Sequence, residues 1–156
     1  MTDNDLDLAE LSDANRTAAG ILTEPSRRTA ALAYLQQRGI PADAVPSEWP
    51  VGYAPPGWTR IVDQLRGAYP DEVLVAAGLA RRSSRGSLID VFRDRVVFPV
   101  HDLGGCVAGF IGRDLSGARA APKYLNTTEQ LARAMIRVAR EGPPKPILES
   151  GDINGL

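Results

Sequence analysis

Cysteine and histidine are nearly absent from the 156-residue sequence, which has one of each, Cys106 and His101. One residue of each type excludes a disulfide framework and a Cys/His zinc site, so a metal ion would have to bind carboxylates. The sequence also has no run of about 18 apolar residues, the length that a membrane-spanning helix needs. Its acidic first ten residues, MTDNDLDLAE, are unlike a secretory signal. We therefore expect a cytoplasmic protein without membrane contacts.

A strong net charge is also lacking, because 18 Lys and Arg residues oppose 19 Asp and Glu residues. This balance excludes a histone-like, polybasic chain. The charges are nevertheless unevenly distributed. Residues 81–123 hold eight basic and four acidic side chains, whereas residues 1–48 hold four basic and eight acidic ones. The basic segment is compatible with polyanion binding, although a solvated charged face is the commoner explanation.

The first half of the sequence has a helical pattern of apolar residues. Two helices are predicted in the first forty residues, with Pro25 starting the second and Gly39 ending it. The proline-rich residues 41–57 are predicted as a short helical turn followed by a loop. Two further helices are predicted over residues 58–65 and 71–77, the latter capped by Gly78.

Strand signals begin near Leu88. Residues 95–101 and 106–115 are rich in β-branched and small apolar residues, and the sequence DLGG between them favours a hairpin turn. Pro99 indicates that the first strand lies at an edge or that this residue is at a non-hydrogen-bonded position. The sequence PKYLN is predicted as a turn, and residues 128–140 as a helix. We therefore predict an α+β fold, with N-terminal helices followed by a mixed or antiparallel β-sheet that contains a hairpin.

Arg93 and Arg95 flank Asp94 just before the first predicted strand. An extended backbone would direct both arginines to the same face, because side chains alternate along a strand. Two guanidiniums on one face suit successive phosphates of a nucleic acid. The alternative is a surface ion pair with Asp90 or Asp94, which contributes little energy. The residues alone favour this alternative.

A second candidate group follows the hairpin. Gly109 and Gly112 allow a ligand or another backbone to come close to the second strand, and Arg113 lies near the end of that strand. Lys123 and Asn126 are three residues apart, a spacing that can present an ammonium group and an amide to one triphosphate. No glycine-rich phosphate loop of the Walker type is present, so these residues alone are a weak signal.

The order of these segments resembles a known family. The sequences YLQQRGI at 34–40, VGYAPPGW at 51–58, the segment 76–114 with FRDRVVFP and GFIGRD, and APKYLNT at 121–127 follow one another. Together they resemble the N-terminal subdomain of the catalytic core of bacterial DnaG-type DNA primases. The resemblance divides the chain into an N-terminal helical extension (1–25), the primase subdomain (26–130), and a divergent helix with a loose tail (131–156).

The resemblance implies roles for five residues. Arg113, Lys123 and Asn126 match positions at the family's nucleotide and nucleic-acid groove. Arg93 and Arg95 match basic positions expected along the template track. The implied function is the binding of single-stranded template DNA and nucleoside triphosphates during RNA primer synthesis in DNA replication.

Aromatic and helix-end residues in the matching motifs are interpreted as structural. Tyr53 and Trp58 in GYAPPGW are expected to pack in the core rather than to stack on bases. Tyr34, Arg38 and Gly39 are expected to form a helix with its glycine stop.

The sequence provides no recognisable catalytic carboxylates. In the resembled family two divalent ions, Mg²⁺ or Mn²⁺, bind to a Toprim domain, which has no counterpart in this sequence. Glu149 and Asp152 have the wrong spacing for its motif and are interpreted as a solvated tail. We therefore expect no metal or cofactor in this chain, and no catalysis by the chain alone.

Three hypotheses follow. The chain contributes to a primase, with metal ions from a Toprim-bearing protein and a possible place beside the replicative helicase, in a bacterial or mobile-element replisome. Alternatively, it is a stand-alone nucleic-acid-binding module, or a truncated remnant without catalysis.

Overall fold

Two helices begin the part of the chain that the structure describes, residues 8–127 of a computed structural model. Helix α1 spans Leu8–Leu22 and helix α2 spans Pro25–Gln37. Pro25 suits the first turn of α2, because its fixed φ is helical and no N–H is needed there. Gly39 follows α2 with φ of 86° and ends it, as the sequence predicts.

Helix α1 is part of the main hydrophobic core. Leu11, Ala14, Ala18 and Leu22 recur three or four residues apart, and each is at most 1% exposed. This spacing places them on one face of the helix. They pack with residues of the sheet and of the following short helices. The predicted boundary near residue 25 stays a prediction, but α1 itself packs into the same core as the sheet.

The segment between α2 and the hairpin holds short elements. A 3-10 turn at Ala42–Ala44 agrees with the predicted helical turn. The predicted loop after it contains strand β1, Gly52–Ala54, which the sequence analysis missed. Helix α3, Val62–Leu65, is shorter than predicted, and helix α4 spans Asp71–Ala76.

A hairpin of two short strands follows α4. Strand β2, Ala80–Arg82, pairs antiparallel with strand β3, Leu88–Asp90. The Asp90 carboxylate is 1% exposed and accepts hydrogen bonds from the backbone N–H groups of Ile61 (3.0 Å) and Val62 (2.8 Å). Asp90 therefore holds the start of α3 against this hairpin. Burial raises the pKa of Asp90, and the backbone N–H donors oppose that shift.

A four-stranded antiparallel sheet forms the rest of the fold, in the order β1-β4-β5-β6. Strand β4 is Arg95–His101 and strand β5 is Val107–Asp114, so the predicted hairpin is confirmed. Its turn closes through a hydrogen bond of 3.0 Å from the Gly105 N–H to the Asp102 carbonyl. The α+β fold class is also confirmed.

One local prediction needs correction, and the alternatives for Pro99 are narrowed. The PKYLN sequence contains strand β6, Tyr124–Asn126, rather than a turn, because it pairs with β5. Strand β4 lies inside the sheet, not at its edge. Pro99 is tolerated there because β1 covers only residues 95–97 of β4, which leaves Pro99 beyond the end of β1.

The two faces of the sheet pack against different helices. Val97 and Phe110 belong to the main core with α1 and α4, whereas Val96 packs with Ala31 and Val51 on the side of α2. The predicted helix at 128–140 and the tail with Glu149 and Asp152 lie outside the described residues.

Candidate nucleic-acid interface

A groove of about 710 Å³ lies at the end of the sheet where Arg95 pairs with Asp114. Its wall includes Trp58, Arg81, Arg93 and Arg95, and we call it the Trp58 groove. One aromatic and three basic side chains thus share one concave surface with two acidic residues, Asp94 and Asp114. This composition suits a strand with stacked bases and anionic phosphates.

Trp58 is 61% exposed, so the expectation that it packs in the core is wrong. It follows Gly57, whose φ of 129° is a conformation that other residues rarely adopt. The guanidinium carbon of Arg93 lies 3.9 Å from the centroid of a Trp58 ring. This cation–π contact orders the exposed indole and places a positive charge against it.

Arg95 lies at the floor of the Trp58 groove and is 4% exposed. Its Nη1 donates to the Gly112 carbonyl (3.2 Å) and its Nη2 to the Pro122 carbonyl (2.8 Å). Burial lowers the pKa of Arg95, against the effect of the Asp114 carboxylate. Because carbonyls use two of its donors, Arg95 fixes the strand ends that form the groove and adds positive charge to it.

Arg93 and Arg95 share the groove for a different reason than the predicted strand alternation. Strand β4 begins at Arg95, and Asp94 before it has φ of 48°, a bend rather than an extended residue. The Asp94 carboxylate accepts a 2.7 Å hydrogen bond from the Tyr53 hydroxyl, and its carbonyl accepts one of 3.0 Å from the Leu115 N–H. These contacts hold the bend that presents Arg93 to Trp58.

Gly112 does not leave room for a ligand, contrary to the expectation from sequence. A Cβ atom on Gly112 would lie 2.6 Å from Cδ1 of Phe92 and 3.1 Å from Cδ of Arg95. The space above this glycine is therefore filled by the chain's own side chains. Its role is packing of Phe92 against the sheet.

Arg113 lies on the opposite face of the sheet from Arg95, because its partner in the register is Val96. It lines a second groove of about 640 Å³ together with Tyr34, Gln37 and Arg38. We call this the Arg113 groove. Arg93 and Arg95 therefore line one groove of this chain, and Arg113 lines another on the opposite face of the sheet.

Aromatic rings surround the Arg113 guanidinium. Its carbon lies 4.9 Å from the centroid of Tyr124, and its buried Nε and Nη1 atoms have no hydrogen-bond partner within residues 8–127. Arg38 lies 5.6 Å from the centroid of the Tyr34 ring. Burial tends to raise the pKa of Tyr34, but Arg38 and Arg113 lower it overall. Arg38 and Arg113 thus both line this groove, and two N–H donors of Arg113 have no hydrogen-bond partner among the described residues.

Lys123 and Asn126 do not share a turn. Lys123 is exposed beside the start of β6, and its carbonyl accepts a 2.9 Å hydrogen bond from the Asp114 N–H. Asn126 is exposed on β6 opposite Ile111, on the same face as Tyr124. Both side chains are accessible near the strand ends, and their roles stay predictions.

Three residues of these grooves were missed or interpreted as structural. Trp58 lies in a Pro- and Gly-rich loop, where an aromatic residue has few core neighbours. Arg38 directly follows α2 and lies four residues after Tyr34, a spacing that places both side chains on one face. Arg81 had no local signal beyond its charge.

The described residues contain neither a cluster of metal ligands nor a helix that could span a membrane. Within residues 8–127, no three His, Cys, Asp or Glu side chains converge as a metal site would need. In the same part of the chain, no helix has both the length and the apolar character to cross a membrane.

The fold agrees with comparisons to known proteins. The family model described as DNA primase catalytic core, N-terminal domain, matches residues 20–132. The DNA primase of Streptomyces coelicolor is 42% identical over 98 residues, which are 62% of this chain and 15% of that protein. The DNA primase of Escherichia coli K12 is 38% identical over 103 residues, 65% of this chain and 17% of the relative. The chain thus spans about a sixth of these relatives.

Solved structures give the same result. A DnaG primase catalytic domain bound to ssDNA has a TM-score of 0.66 and 32% identity, covering 79% of this chain and 40% of that one. The RNA polymerase domain of Mycobacterium tuberculosis primase DnaG, in complex with double-stranded DNA, has a TM-score of 0.64 and 33% identity, covering 76% and 38%. Since the family model covers most of the sequence, this chain belongs to the family of the DNA primase catalytic core, N-terminal domain.

Proposed function

We propose that the chain binds single-stranded template DNA in the Trp58 groove and so contributes to RNA primer synthesis by a DNA primase. The observation that carries this proposal is the exposed Trp58 ring with the Arg93 guanidinium stacked on it at 3.9 Å. An exposed indole offers a face to any base, and base–aromatic stacking contributes about 1–3 kcal/mol per base. The adjacent guanidiniums of Arg81 and Arg93 can bind phosphates. The related catalytic domain bound to ssDNA supports this assignment.

The Arg113 groove is the proposed site for the phosphates of a nucleoside triphosphate. Arg113 has two buried donors without a partner among the described residues, and Arg38 adds a second charge. Asn126 is accessible on the same face of β6 as Tyr124 and would extend the contacts, and Lys123 is accessible beside the start of β6. Cations in such a groove fix the triphosphate and neutralise charge that develops on the leaving pyrophosphate.

We infer that the catalytic metal ions bind outside the described residues. The described residues offer no cluster of ligands that fits Mg²⁺ or Mn²⁺. We therefore propose that a Toprim domain supplies the metal site, and that this chain supplies the surfaces that hold template and nucleotide. The alternative of a stand-alone binding module is not favoured, because the relatives and structures described above are all primases.

Fluorescence anisotropy with a labelled oligothymidine, measured at several salt concentrations, tests the Trp58 groove. We expect Trp58→Ala to weaken binding about tenfold, and Trp58→Phe to restore part of the loss, because stacking needs a π face. Trp49→Ala is a matched control, since Trp49 is 58% exposed but does not line the groove. Equal binding by Trp58→Ala and the wild-type chain would contradict the proposal.

Nucleotide binding tests the Arg113 groove. Arg113→Ala combined with Lys123→Ala is expected to abolish measurable ATP binding by calorimetry. Arg16→Ala, on an exposed arginine of α1, controls for the loss of positive charge. ATP binding that survives the double substitution would exclude this groove as the triphosphate site.

A further inference from the structure

The β2–β3 hairpin carries three arginines that lie outside the packed core. Arg81, Arg82 and Arg85 are exposed, and the hairpin has a single acidic residue, Asp90. Asp90 is buried and its carboxylate is bound to backbone N–H groups at the start of α3. The exposed part of the hairpin is therefore positively charged, with no exposed carboxylate of its own.

The base of this hairpin is part of the Trp58 groove. Arg81 on β2 and Val91, just after β3, both line the groove wall. From Arg81 the chain continues through β2 to the turn at residues 83–86. A strand rises about 3.3 Å per residue, so the tip lies up to about 10 Å from Arg81 along the hairpin. The hairpin thus continues the basic surface away from the groove.

The turn holds its tip in a defined conformation. The Gly86 N–H donates to the Ser83 carbonyl (2.9 Å), the Ser83 N–H donates to the Ser87 carbonyl (2.8 Å), and Gly86 has φ of 82°. A tight turn that ends in a left-handed glycine is a well-formed hairpin connection. The side chain of Arg85, directly before this glycine, is presented at the tip.

The arginines at the two ends of this turn differ in their contacts. Arg82 donates to the Gly86 carbonyl (3.2 Å) and lies 3.7 Å from the Asp71 carboxylate, which also binds Arg66. The side chain of Arg85 forms no hydrogen bond or ion pair with any residue from 8 to 127. Among residues 8–127, neither Arg85 nor Arg81 has such a partner; Arg81 lines the groove wall, and Arg85 lies at the hairpin tip with its charge unpaired.

We propose that Arg85 contacts a backbone phosphate of the DNA strand as it leaves the Trp58 groove. This proposal rests on the proposed function of that groove. A distance of about 10 Å corresponds to at most about three nucleotides, because 3.4 Å is the spacing of a strand stacked as in a duplex and an extended single strand spans more per nucleotide. The turn sequence Ser-Ser-Arg-Gly has no aromatic side chain to stack on a base. The contact therefore strengthens binding of longer strands without a sequence preference.

Anisotropy titrations with labelled dT4 and dT12 test this contact. The short oligomer fills the groove, and the long one also reaches the hairpin tip. One phosphate contact to a single strand contributes about 0.7 to the slope of log affinity against log salt. We expect Arg85→Gln to lower this slope by about 0.7 for dT12 and to leave dT4 binding unchanged. Arg85→Lys is expected to restore the slope, because a phosphate contact needs only the charge.

The control is Arg16→Gln, which removes one exposed positive charge on α1, outside both grooves. A dT12 slope unchanged in Arg85→Gln overturns the proposal, as does an equal loss in Arg16→Gln, which would show an effect of net charge alone. Trp58→Ala, titrated alongside, reports on the groove itself. If Trp58→Ala loses binding while Arg85→Gln does not, only the hairpin contact has failed. If the wild-type chain binds neither oligomer, both proposals have failed.

Discussion

The Tyr53–Asp94 hydrogen bond makes the free energy of unfolding decrease with pH in the alkaline range. Burial raises the pKa of Tyr53 to about 12, and the Asp94 carboxylate, 2.7 Å from the hydroxyl, adds to the shift. In the unfolded chain a tyrosine titrates near pH 10. The folded state therefore favours the neutral phenol. Its contribution to stability is complete below about pH 10 and is lost as the pH rises through about 12.

The size of this contribution follows from the two pKa values. A difference of two units corresponds to an upper limit of about 2.7 kcal/mol. Tyr53 is only half-buried, and solvent screening reduces the value, so we expect a loss of about 1–2 kcal/mol. In Tyr53→Phe no phenol titrates at this position. This variant should be less stable than wild type near pH 8 by about 1 kcal/mol, the contribution of one hydrogen bond.

Urea unfolding at pH 8 and pH 11.5, followed by circular dichroism, measures the difference. We expect the wild-type chain to lose about 1–2 kcal/mol more than Tyr53→Phe between the two pH values. Tyr124→Phe removes a hydroxyl from an exposed ring and should follow wild type. Equal losses in wild type and Tyr53→Phe would refute the reasoning, because the titration would then lie elsewhere in the protein.

Three further predictions concern stability, measured as the free energy of unfolding in urea. Gly112→Ala should lose about 1–3 kcal/mol because its Cβ overlaps Phe92, and Phe92→Leu in the same chain should recover part of the loss. Asp90→Ala should lose about 2–4 kcal/mol because two N–H groups at α3 lose their acceptor, and Asp90→Asn should lose less. Leu74→Ala, at a fully buried site, should lose about 2–5 kcal/mol.

Local signals were sufficient for the elements that depend on neighbouring residues. Strand β4 was predicted with the bounds that the structure has, and Gly39 and Gly78 were recognised as helix stops. Strands β1 and β6 were missed for the opposite reason. Each has only three residues near a proline, and each exists because it pairs with another strand, β1 with the distant β4 and β6 with β5 across a loop. No local pattern contains that pairing.

In the candidate site, too, some features were predicted from sequence motifs, and others depend on contacts between separate segments. The family motifs identified Arg93, Arg95 and Arg113 as exceptional, and the structure places each of them in a groove. Exposure of Trp58 was not predicted, because it depends on the bend at Gly57 and on the approach of Arg93 from another segment. Burial of Arg95 depends on the loop that packs over it, through the Pro122 carbonyl.

A β-bulge in the β4–β5 hairpin explains why Arg95 on β4 and Arg113 on β5 lie on opposite faces of the sheet. Next to the turn, His101 pairs with Val107, and if that register continued, Arg95 would lie directly opposite Arg113. The register shifts by one residue between His101 and Val100, so Arg113 lies opposite Val96 instead. A shift of one residue exchanges the faces of every side chain beyond it. The bulge thus avoids two like charges side by side and gives each face of the sheet its own cation, one for each groove.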